Sequence, residues 1–172
     1  EVICESCVYR DANDVLLCSK YEDEIPSKIL LGNEECKFFK VKKNIVLDGI
    51  MGLAVGDALG VPVEFESREN LRNNPVKGMM GYGTYNQPEG TWSDDTSLTL
   101  CLLEALIERE YKVTSLANKF VKWYQKAEYT ATGKMFDIGR STYDAINRII
   151  SGINPVDAGG KSEHDNGNGS LM

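Results

Sequence analysis

The sequence predicts an all-α domain preceded by a small, irregular, cysteine-rich module. Three observations carry this reading. Helical stretches with apolar faces recur between residues 44 and 151, the turn-rich stretch 66–92 shows no strand alternation, and four of the five cysteines fall within the first 36 residues. At 172 residues and 42% hydrophobic, the chain suits one domain of ordinary size or one domain with an appendage.

Residues 1–40 are read as the module. Cys4 and Cys7 form a two-residue knuckle, and Cys18 and Cys36 complete four thiolates, a set that suits one tetrahedral zinc. An iron–sulfur centre, free thiols and disulfides are the other readings of the same cysteines. Nine acidic residues against five basic ones in this stretch argue against a nucleic-acid-binding ribbon. The module is therefore expected to be structural or protein-binding.

Residues 44–59 read as one helix, ended by Gly60 with Pro62 just beyond. Each interior glycine costs about 1 kcal/mol against alanine. Gly49, Gly52, Gly56 and Gly60 nevertheless recur at helical spacing, which predicts that another backbone packs closely against this stripe. Glu64 follows between apolar residues. It is read either as an exposed loop acid or as a partly buried carboxyl with a raised pKa.

After the turns of 66–92, Gly90-Thr91-Trp92-Ser93-Asp94-Asp95-Thr96 opens a helix expected over 94–109. Two readings stay open here. Acids in a first turn complement the helix dipole, with Ser93 placed to cap. Alternatively, adjacent carboxylates beside hydroxyls form an oxygen-only ligand set for magnesium or manganese. A third helix is expected over 115–127 with Ala117, Phe120, Val121 and Tyr124 on its core face, and Cys101 is expected in the core. A fourth is expected from Asp137, as N-cap, to Ser151, with Ile138, Ala145, Ile146 and Ile149 as its stripe. The glycine-rich end, 159–170, is read as a polar loop that includes His164, the single histidine, which makes a histidine-dependent triad unexpected.

A charge of −7 and a pI near 4.8 argue against a nucleic-acid partner. No apolar run is expected to reach the roughly 18–20 residues of a membrane span, and no signal segment opens the chain, so a cytoplasmic location is expected. The start at Glu1 and the end at Met172, straight after a glycine-rich loop, are read as those of a fragment.

Four ordered motifs resemble the ADP-ribosylglycohydrolase family over about residues 45–172. They are Gly56-Asp57-Ala58-Leu59-Gly60-Val61-Pro62-Val63-Glu64, then Gly90 to Thr96, then Phe136-Asp137-Ile138-Gly139, then Gly167-Asn168-Gly169-Ser170-Leu171-Met172. The resemblance implies a truncated all-α bundle over 44–172. It also implies a binuclear magnesium or manganese centre, and hydrolysis of the glycosidic bond between ADP-ribose and a modified protein or other acceptor.

By the same resemblance Ser93, Asp94 and Asp95 would supply half of the metal ligands. Glu64 and Asp137 would be the catalytic acids near the ribose, and Gly139, Gly167, Asn168, Gly169 and Ser170 would line the substrate pocket. The family's second, downstream metal motif is not found before Met172. A catalytically inactive module that binds ADP-ribose or a partner is the alternative reading. The resemblance does not extend to the cysteine module.

Overall fold

The structure is a computed structural model that describes residues 7, 9, 18–21, 24–31, 33–38 and 44–165. Among the described residues it holds no β-strand, in agreement with the all-α expectation. The α-helices are α1 (Ser27–Leu30), α2 (Ile45–Gly60), α3 (Arg68–Asn73), α4 (Asp94–Leu106), α5 (Val113–Lys126) and α6 (Arg140–Ile150). Short 3₁₀ turns occupy Val61–Val63, Gly83–Tyr85 and Pro155–Asp157. The chain divides into two units, Glu1–Gly49 and Ile50–Met172.

In the first unit Cys18, Ile25 and Ile29 form a small apolar cluster, with Tyr9, Tyr21, Leu30 and Cys36 against it. Cys7, Cys18 and Cys36 are free of disulfides, and the Cys36 sulfur lies 3.5 Å from the Tyr21 hydroxyl. Among the described residues no three of Cys, His, Asp or Glu converge on a metal-sized site. Cys4, the other half of the predicted knuckle, lies outside the described residues. Of the described thiols, Cys18 and Cys36 pack in the cluster that includes Ile29 of α1.

In the second unit α5 is the central helix, packed against both α4 and α6. Cys101 of α4, Trp123 of α5 and Ile146 of α6 form its fully buried centre. The predicted α5 face is met in Phe120, Val121 and Tyr124, which line this core, while Trp123 is an addition to it. Burial, aided by the nearby Glu104 charge, pushes the Cys101 thiol up to about 12. Lys119 on α5 is pinned between Glu108 at 2.8 Å and Glu104 at 3.6 Å, and Tyr129 donates its hydroxyl to Glu104. These contacts tie α5 to the end of α4.

Three helix boundaries differ from expectation for local reasons. α4 stops at Leu106, where Ile107 closes the last turn onto Leu103. α5 ends when Ala127 turns left-handed, at φ 55°. α6 begins at Arg140 with Gly139 as its N-cap, so Asp137 is not a capping residue. Asp137 stands outside the helix at φ 56°, a conformation that Asp tolerates better than most residues. Within the turn-rich stretch, Ser67 caps the unexpected helix α3 by accepting the Asn70 N–H at 3.1 Å.

Among the described residues the glycine stripe of α2 is open rather than packed. A β-carbon at Gly49, Gly52, Gly56 or Gly60 would meet nothing within 4 Å. Burial concentrates instead on Ala58 and on Val61 and Pro62 just after the helix. The stretch Ile45–Val63 is 19 residues long and apolar enough to cross a membrane, which corrects the expectation that no run reaches that size. The 3₁₀ turn extends the apolar run past Gly60, and two acids do not offset so many apolar neighbours.

Two stability outcomes test this packing. Ile146→Ala is expected to cost about 3 kcal/mol in urea denaturation, as for other large-to-small changes in a closed core. Gly52→Ala is expected to stabilise by about 1 kcal/mol; a loss instead would mean that a neighbour packs on the stripe.

Candidate active site

The N-terminus of α4 presents N–H groups that its own turn cannot satisfy. Ser93 occupies the N-cap position but makes no capping bond with its side chain. The acceptor comes from α2. The Asp57 carboxylate takes the Ser93 N–H at 3.0 and 3.1 Å and the Thr96 N–H at 3.0 Å. It also takes both hydroxyls, Ser93 Oγ at 2.7 Å and Thr96 Oγ1 at 2.6 Å. One side chain therefore caps α4 from a different helix and fixes the turn that carries Asp94 and Asp95. Ser93 spends its hydroxyl proton on Asp57, which leaves its oxygen lone pairs facing elsewhere.

Glu64 is held by two interlocked turns. Thr84 Oγ1 donates to the Glu64 carbonyl at 2.7 Å and lies 3.4 Å from that of Pro62. Gly83, at φ 57°, has no room for a side chain, since a β-carbon there would fall 2.0 Å from the Pro62 carbonyl oxygen. The second turn brings Tyr85 to the site, where its hydroxyl donates to Asp137 Oδ1 at 2.5 Å. The Tyr85 ring lies 5.3 Å from Phe136 and 6.5 Å from Phe65.

The carboxyls raise one another. Burial first, then the charges of Asp137 and Asp95, lift Asp94 to about 7, against the pull of a hydrogen bond from the Gly139 backbone. Asp95 is raised by burial and by Asp57 and Asp137. Glu64 is raised by burial, then by a hydrogen bond with Asp137, with Tyr85 acting in the opposite sense. Burial and the Asp137 bond raise the Tyr85 hydroxyl as well, so it stays a donor. A mutually repelling, oxygen-only donor set is the chemistry that suits a hard divalent cation. Among the described residues no group of three or more His, Cys, Asp or Glu converges on a metal-sized site.

The structure thus brings Glu64, Asp94, Asp95 and Asp137 into one electrostatic neighbourhood, with Ser93 beside it and Gly139 on Asp94. Gly167, Asn168, Gly169 and Ser170 lie outside the described residues. Sequence reasoning missed Asp57 and Tyr85 as site residues. An acid inside an apolar helix needs a buried partner, and that was the available signal for Asp57. Tyr85 sits among turn residues and carried no signal.

The sequence model of the ADP-ribosylglycohydrolase family matches residues 41–172. An ADP-ribosylarginine hydrolase, Tri1, of Serratia proteamaculans is 38% identical over 102 residues, covering 59% of this chain and 27% of that protein. An ADP-ribosyl-dinitrogen reductase glycohydrolase of Rhodospirillum rubrum is 29% identical over 129 residues, covering 73% of this chain and 41% of that protein. A solved structure described as an ADP-ribosylglycohydrolase-related protein complex superposes with a TM-score of 0.58 at 34% identity. The match covers 73% of this chain and 38% of that one. The chain thus spans well under half the length of these relatives.

Removing the Asp57 clamp is expected to be costly. Asp57→Ala strands two N–H groups and two hydroxyls and should lose about 2–3 kcal/mol in urea denaturation, with Asp57→Asn recovering part of it. Asp94 sets a pH dependence. Between about 4 and about 7 the folded chain keeps a proton on Asp94 that the unfolded chain, at 3.8, has released. Stability without added divalent cations should therefore fall as pH rises through that window. Melting temperatures across it should show a flatter profile in Asp94→Asn; an unchanged slope would refute the assignment.

Proposed function

Because the chain belongs to the ADP-ribosylglycohydrolase family, we propose that it carries catalytic carboxyls of a hydrolase that removes ADP-ribose from a modified acceptor. The supporting observation is the meeting of Glu64, Asp94, Asp95 and Asp137, drawn from three separate sequence motifs, in one mutually charged cluster. Relatives named for ADP-ribosylarginine support arginine as the acceptor.

In this reading Glu64 and Asp137 divide the proton traffic. Glu64, with its raised pKa and its bond to Asp137, gives a proton to the acceptor atom as the bond from the anomeric carbon breaks. Asp137, oriented by Tyr85, takes a proton from the water whose oxygen forms the new bond. The surrounding carboxylates favour the positive charge that develops at the anomeric carbon. Ser93, Asp94 and Asp95 would hold magnesium or manganese, whose charge, when bound, polarises the ribose hydroxyls and the water. Gly139 and the segment Gly167, Asn168, Gly169 and Ser170 would line the ADP-ribose.

The test is release of free ADP-ribose from an ADP-ribosylated arginine peptide, with and without magnesium or manganese. Cation-dependent release is expected, with losses of about 100-fold or more in Asp94→Ala, Asp95→Ala and Glu64→Gln. Undiminished turnover in Asp94→Ala would overturn the ligand assignment. ADP-ribose binding without release would instead identify a binding module.

A further inference from the structure

Phe65 is the residue of this site that packing does not explain. Its side chain is 83% exposed, and its backbone sits at φ 63°, in the left-handed region. For a bulky residue that conformation is a genuine outlier, of the kind that collects at ligand clamps. Two contacts fix the backbone that leads into it. Thr84 holds the Glu64 carbonyl just before it, and the Gly83–Pro62 contact locks the turn from which it projects. Interlocked turns thus keep an apolar ring out in solvent, next in sequence to Glu64 and 6.5 Å from the Tyr85 ring that donates to Asp137.

We propose that Phe65 is an acceptor-side platform on which the planar guanidinium of an ADP-ribosylated arginine stacks. The proposal rests on the hydrolase reading above. In that substrate the acceptor is bonded to the anomeric carbon, so it lies beside the proton-handling carboxyls. The adenine is separated from that carbon by a ribose and a pyrophosphate, and does not reach the same position. A guanidinium stacks on an aromatic face and is attracted by its quadrupole. The adjoining Glu64, Asp95 and Asp137 carboxyls favour the same positive group. A serine acceptor offers neither the plane nor the charge.

The experiment compares wild-type protein with Phe65→Leu, which keeps an apolar side chain but removes the π face, and Phe65→Trp, which keeps the face. Substrates are an ADP-ribosylated arginine peptide and an ADP-ribosylated serine peptide. Phe65→Leu should lower kcat/KM on the arginine peptide about 10-fold, with Phe65→Trp near wild type. The serine peptide and the affinity for free ADP-ribose should be unaffected. Equal losses on both peptides, weakened ADP-ribose binding, or no loss at all would each overturn the proposal. Because Phe65 is exposed, melting temperatures should match and exclude misfolding. Agmatine titration, followed by the Phe65 ring-proton shifts, reads the contact without turnover. Shifts in a protein that releases nothing would sustain the platform and reject the hydrolase, whereas release without shifts would do the reverse.

Discussion

The second unit of this protein depends on the carboxylate of Asp57. It enters α2 as an acid in an apolar helix and finds four donors at the start of α4. Helix starts usually satisfy their first N–H groups with a side chain from the preceding residue. Here the acceptor comes from 36 residues earlier. The same bonds that complete α4 therefore tie α2 to its first turn. Asp94 and Asp95 inherit their orientation from it. A carboxylate at this point also adds negative charge beside Asp95, so the clamp contributes to the repulsion that raises that acid.

That repulsion gives the site its character. Glu64, Asp94 and Asp95 are all raised by burial and by neighbouring carboxyls, and no basic side chain offsets them. A structure selected for stability alone would separate them. Two features keep them together: the α2–α4 clamp, and the interlock of the 61–65 and 83–85 turns that aims Glu64 and Tyr85 at Asp137. The interlock lies where the backbone has little freedom, at Gly83 and at the left-handed residue Phe65. Rigidity in the turns offsets a cluster that would otherwise push itself apart.

Much of the helical framework was legible in sequence because it follows from periodicity. The α5 and α6 stretches declared their core faces, and Cys101 and Ile146 are buried as expected. What was not legible depended on partners distant in sequence. Ser93 reads locally as a cap, and only the fold shows that Asp57 takes that role. Asp137 reads as a cap as well, and only its left-handed backbone moves it out of α6 and toward Tyr85. The glycines of α2 promised a close neighbour, but spacing alone cannot state which face of a helix is covered. The acids Glu64, Asp94, Asp95 and Asp137 could be picked out one by one from their motifs, whereas their mutual proximity is a property of the fold.

Cys101 carries a consequence of a different kind. Its sulfur has no exposure to solvent, and its thiol, pushed up to about 12, is almost wholly uncharged at neutral pH. Thiol reagents attack the thiolate and need access to it. In the folded protein both conditions fail at once, and both are restored when α4 separates from α5 and α6. The rate at which Cys101 is alkylated therefore counts openings of that helical core, which gives the protein a native reporter of its own breathing.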